Sequence, residues 1–136
     1  MNWKRFVLAF VAVFVLTAIT SFVIHGMLLH ADYSQYPNLL RTETDANQHA
    51  VFLLAAFAVF AFAFVLVWAV WVPAYSSPLR AGLFYGMVMW LVESVNHYLI
   101  NYAVQPWQGD LVVKQMGYEF VWMAAAGMAT ALIYRK

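Results

Sequence analysis

The stretch "LVESVNHYLIN", residues 91–101, sets a glutamate, a histidine and two asparagines inside an otherwise apolar run. Glu93 and His97 lie four positions apart, one turn of helix, so both can reach a common partner. Three chemistries are open to such residues. A carboxylate and an imidazole can relay a proton. With Asn96, Asn101 and Glu119 they can hold a small polar ligand. With His25 and His49 they can ligate a divalent metal, since zinc or copper accepts two or three imidazoles and a carboxylate. A haem held by two histidines of the first and third helices fits less well, because the two differ in depth by several ångströms. No HExxH spacing occurs, and "HGMLLH" puts His25 and His30 on different helix faces. An intramembrane carboxylate costs about 2.5–3.5 kcal/mol on insertion scales, so it is retained for a reason. The structural alternative is that Glu93, neutral or bonded to His97, ties helices together.

Other chemistries find no residues here. The chain has no cysteine, which excludes disulfides, thiolate metal sites and iron–sulfur clusters within it. A net charge of +1, with no basic patch, gives no footprint for nucleic acid. No nucleophilic triad, phosphate loop or dinucleotide fingerprint is present, so the expectation is a protein that is not an enzyme.

The elements that must position these residues follow from composition. Of 136 residues, 65% are hydrophobic and 10% charged, against about a quarter charged in soluble domains. So small a core cannot hide that apolar surplus, and lipid becomes the expected solvent. Four apolar runs, at about 4–28, 50–72, 82–104 and 112–134, match the roughly 20 residues needed to span a bilayer. The expected fold is therefore an all-α membrane protein, a single four-transmembrane-helix bundle over 1–136 with an outer loop at 30–48. The first run follows a basic "MNWKRF", but it exceeds a signal-peptide core and precedes no small-x-small cleavage site, so it reads as a retained helix.

Lys4, Arg5, Arg80, Arg135 and Lys136 fall on one side of the bundle, Arg41 and Lys114 on the other. That bias places both termini in the cytoplasm, with the plasma membrane of a bacterium, its inner membrane, as the expected location. Ser77 and Pro78 read as N-cap and first residue of the third helix, and Pro73 as the stop of the second. Thr42 reads as the cap of a helix starting near Glu43, and Asp110 as the cap of the last helix. Trp3, Trp68, Trp71, Tyr75, Trp107 and Tyr134 fall near the interfaces.

On helical wheels Gly82, Gly86, Met89, Trp90, Glu93, Asn96, His97, Ile100 and Asn101 share one side of the third helix. Gly82 and Gly86 suit close helix packing or self-association. Thr17, Ser21 and His25 form a stripe on the first helix, and Gln115, Glu119, Met123, Ala126 and Gly127 one on the fourth. The polar residues describe a funnel, with His30, His49 and His25 at its mouth and Glu93 at its floor. In the second helix the alanines are expected to face inward. Phe57, Phe60, Phe64, Trp68 and Trp71 are then expected to meet lipid or a partner. That stripe, with the 30–48 loop, favours an accessory or scaffold subunit that docks to other membrane subunits. The alternative is a small transporter, or a metal- or cofactor-binding protein, using the outer His/Glu cluster.

Overall fold

The computed structural model describes residues 1–72 and 77–135. The expected stop at Pro73, the interfacial Tyr75 and the charge of Lys136 lie outside them. The described residues form helices and connections, with no strand among them. In chain order these are α1 (Trp3–Ser21), a π-helical segment (Phe22–Leu28), α2 (His30–Tyr33), α3 (Glu43–Gln48) and α4 (Ala50–Trp71). Then come α5 (Pro78–Trp90), a second π-helical segment (Leu91–Val95), α6 (Asn96–Val104) and α7 (Gly109–Ile133).

Three of these helical runs, Trp3–Leu28, Ala50–Trp71 and Gly109–Ile133, are long and apolar enough to cross a membrane. Their outer surfaces carry Val7, Leu8, Ile19, Phe52, Val59 and Val70, all exposed. Contiguous apolar surface on this scale suits hydrocarbon and not water. The run from Pro78 to Val104 is also helical throughout, but Glu93, Asn96 and His97 dilute its apolar character.

Local chemistry explains several boundaries. Thr42 caps α3, its hydroxyl accepting from the Asp45 N–H at 3.4 Å. A break at His49 separates α3 from α4, so the Glu43 helix does not run straight on into the apolar segment. Pro78 begins α5 behind Ser77, whose hydroxyl makes no capping bond. The last helix starts at Gly109 behind Gln108, which puts Asp110 in its first turn and not at the cap. A carboxylate there still favours the positive end of the helix dipole.

The tightest packing joins α5 to α7. A methyl group added at Gly82 would sit 2.5 Å from the Gly127 carbonyl oxygen, and one at Gly86 would strike the Met123 carbonyl. Backbone therefore lies against backbone. Gly82 and Gly86 are thus packed within the chain. Trp90 extends the seam, its indole N–H donating to the Met116 carbonyl at 2.9 Å and its ring meeting Phe120 edge-on.

The aromatic face of α4 turns inward, against expectation. Phe64 and Trp68 are 0% and 3% exposed, Phe57 and Phe60 are half-buried, and Ala55 and Ala63 are exposed. Only Trp71, 78% exposed, looks away from the chain. The reason is space. With α5 and α7 in backbone contact, the gap beside them is filled by rings and not by methyl groups. Phe64 and Trp68 each meet Tyr85 edge-on at 4.7 and 5.3 Å, and the Tyr85 hydroxyl donates to the Phe64 carbonyl at 2.5 Å. Such edge-to-face pairs add about 0.5–1.5 kcal/mol each beyond burial.

The two ends of the bundle differ. At the terminal end the Asn2 amide donates to the Tyr134 hydroxyl, the Trp68 indole to the Tyr134 carbonyl (both 2.9 Å), and the Arg5 guanidinium to the Arg135 carbonyl at 2.8 Å. At the opposite, capped end, α2 and Tyr36 fold over the turn between α6 and α7. The Gln108 amide donates to the Tyr36 hydroxyl at 2.9 Å, Trp107 packs against Tyr33 and Tyr36, and Lys114 pairs with Asp32 at 2.8 Å.

Candidate functional site

Helical membrane segments satisfy their backbone internally, so polar side chains among them must find one another or water. In this chain they converge on Glu119. It sits ten residues into α7, about 15 Å along the axis from Gly109 at ~1.5 Å per residue, and is 8% exposed. His25 of the first π segment approaches it with Nε2 3.3 Å from Oε1. The Tyr98 hydroxyl of α6 donates to the same oxygen at 3.4 Å, and the Trp122 indole N–H donates to Oε2. Three donors from three elements thus face one carboxylate.

The histidine is oriented from its other side. Its Nδ1 lies 2.6 Å from the Tyr33 hydroxyl, which accepts from the Gln115 amide at 2.9 Å. Only one tautomer uses every proton. Gln115 gives its N–H to Tyr33, Tyr33 gives its O–H to Nδ1, and Nε2–H goes to Glu119. Since Gln115 and Glu119 are one turn apart on α7, the bonds close a ring through α7, α2, the π segment and α7 again. Among the described residues no buried side-chain nitrogen or oxygen is left without a partner.

Tyr33, beyond the apolar runs, has its hydroxyl pushed above the ordinary value, chiefly by burial. The negative charges of Glu119 and Asp32 push the same way, and the Gln115 bond opposes them. Because the folded chain holds this proton more tightly than the unfolded one, Tyr33's contribution to stability is full below pH ~10 and is lost as pH rises beyond it. A difference titration at 295 nm between wild type and Tyr33→Phe should accordingly show a tyrosine that ionises above the ordinary range.

Beside this ring lies a cavity of about 310 Å³. Thr17, Thr20, Ser21 and His25 line it from the first helix, Glu93, His97 and Tyr98 from the interrupted third run, and Glu119 and Trp122 from α7. Leu53, Ala56, Phe57 and Phe60 of α4 form an apolar wall. Both π segments border it, and the extra width of a π turn is a recurrent feature of functional sites. Below, Phe60 meets Trp122 and Phe64, closing the cavity toward the terminal end. Two further cavities share His25. One, of about 450 Å³, lies under the capping segment at His30, Tyr33 and Arg41; the other, of about 360 Å³, opens between α1 and α4 at Ala18, Phe22 and Gly26.

The structure gathers part of the expected set. Glu93, His97, His25 and Glu119 line one cavity, and Thr17 and Ser21 line it with them. Glu93 and His97 do not bond to each other: Glu93 accepts from the Ser94 hydroxyl at 2.7 Å, and His97 Nε2 lies 2.8 Å from the Asn101 amide nitrogen. Glu93 is exposed, and the buried carboxylate is Glu119. Asn96 and Asn101 stand off the cavity wall, and His49 is held elsewhere, against Asp45 at the α3–α4 break. Among the described residues no three histidine, aspartate or glutamate side chains come together as a metal set. Tyr33, Tyr98 and Trp122 were not singled out by their positions in the sequence. For Trp122 a signal was present, since it follows Glu119 by three residues and so shares its helix face. The chain matches no protein-family model, and no curated protein or solved structure compared with it is similar.

Proposed function

We propose that this chain is a four-helix integral membrane protein that binds a small ligand in a one-sided cavity. The fourth helix of the bundle is then Pro78–Val104, crossing with its polar residues turned to the cavity. Both termini lie in the cytoplasm by the bias of basic residues, and the capped end faces outward, as the inner membrane of a bacterium would arrange it. What carries the reading is the void about halfway down the bundle, bordered by two carboxylates, two imidazoles and an apolar wall. Sites for small molecules have this size and this mixture.

The plug of Phe60, Phe64, Trp122 and Tyr85 speaks for a binding site open to one side and against a continuous pore. A role as accessory subunit loses half its basis, because the aromatic stripe that was to dock lies inside the chain.

Ser21 tests this. It lines the main cavity and the lateral one and makes no hydrogen bond in the structure. A ligand at a hundred times its Kd stabilises its protein by about 2.7 kcal/mol. Screened by thermal unfolding in nanodiscs, some small molecules should stabilise wild type and Ser21→Ala but not the cavity-filling Ser21→Phe. A chemically broad screen in which no compound tells wild type from Ser21→Phe would refute the reading.

A further inference from the structure

Resting on the cavity reading above, we propose that the ligand is a protonated amine carried on an apolar body. The cavity wall is rich in hydrogen-bond acceptors and poor in free donors. Its donors are almost all spent. Thr17 and Thr20 give their hydroxyl protons to the Val13 and Leu16 carbonyls of their own helix, both at 2.8 Å. Tyr98 and Trp122 donate to Glu119, and Ser94 donates to Glu93. What faces the void is therefore lone pairs: the second oxygen of Glu93, the remaining capacity of Glu119 and the two threonine oxygens. Ser21 and one nitrogen of His97 are the only uncommitted groups able to donate.

Charge agrees with this count. The lining includes two glutamates and neither a lysine nor an arginine. A guest that brings several N–H donors and a positive charge complements such a wall, whereas a carboxylate or phosphate would meet lone pair against lone pair. Among the described residues no three histidine, aspartate or glutamate side chains of this lining come together as a metal set. Phe57 and Phe60 line the apolar wall, where a ring face attracts an ammonium group and apolar carbon packs against its hydrocarbon.

The test uses the full chain in phosphatidylcholine nanodiscs, with empty discs subtracted. Phenethylammonium is compared with phenethyl alcohol, which lacks the charge, and phenylacetate, which reverses it; calorimetry reports binding, and so does the part of the tryptophan fluorescence that Trp122→Phe removes. Phenethylammonium should bind saturably, the alcohol at least about ten-fold more weakly, and phenylacetate not at all. Glu93→Gln should weaken the ammonium about ten-fold or more, while the exposed Asp110→Asn leaves it unchanged. Glu93 is exposed and its only hydrogen bond is to its neighbour, so the variant keeps its fold. Equal binding of alcohol or phenylacetate, or an unchanged Glu93→Gln, overturns the amine assignment and leaves the cavity standing. Saturable binding of none of the three, with Ser21→Phe indistinguishable from wild type, overturns both.

Discussion

Gly127→Ala should destabilise this protein more than any other single methyl group added at a glycine. The new carbon would lie 2.8 Å from the Gly86 nitrogen and 3.0 Å from its Cα, and would also strike the Gly82 carbonyl. All three obstacles are backbone, so no side chain can swing aside and the helices must part. Overpacking of this kind costs about 1–3 kcal/mol, and the upper part of that range applies where only backbone can yield. Gly117→Ala is the matched control. It lies on the same helix, nothing stands within 4 Å of the added carbon, and alanine gains about 0.5–1 kcal/mol over glycine in a helix. Unfolding monitored by circular dichroism in detergent should therefore move in opposite directions for the two variants. If Gly127→Ala matches wild type, the close approach of α5 and α7 is wrong.

Glu119→Ala carries the second large effect. It leaves the Trp122 indole, the Tyr98 hydroxyl and His25 Nε2 facing a gap. In water-soluble cores each stranded donor costs about 1–3 kcal/mol. In a bilayer the unfolded helices also find partners, and measured side-chain bonds average about 0.6 kcal/mol. The membrane scale governs here, so the three together are worth about 2 kcal/mol. The loss should also spread: without Glu119 the ring through His25, Tyr33 and Gln115 opens, and amide exchange should quicken in the capping segment at 30–36. Glu93→Gln, by contrast, should stay within about 0.5 kcal/mol of wild type, as exposed positions do. The reverse order, with Glu93 the costly one, would restore it as the structural carboxylate.

The all-helical class and three long apolar segments were legible in the sequence because length and composition alone decide them. The glycine seam was half legible. Gly82 and Gly86 announced a close approach, and Gly127 stood on the polar-to-small face of the last helix, but nothing in the spacing joined them. The direction of α4 was not legible. Alanine and phenylalanine are both at home in lipid, so which side faces in depends on the gap its neighbours leave. Of the two carboxylates that line the cavity, the sequence put Glu93 in the centre, whereas burial puts Glu119 there. Glu93 stood out because its surroundings in the chain are apolar. Burial of Glu119 depends on Tyr98, Trp122 and His25 arriving from distant positions, which one-dimensional spacing does not record.

The π segments have a genetic consequence. In each, the chain holds a surplus residue relative to an α-helix of equal rise, with bonds reaching back five residues, as from the Leu29 amide to the Ile24 carbonyl at 2.8 Å. Removing one codon from Leu91–Val95, for instance that of the exposed Val92, lets the run relax into α-helix. Asn96 to Val104 then keep nearly the same facing relative to Gly82 and Gly86, because the wide turn had already absorbed the surplus residue. His97 and Tyr98 stay at the cavity, while the wide turn that borders it is lost. An in-frame deletion thus narrows the wall of the cavity while every residue that lines it is still encoded.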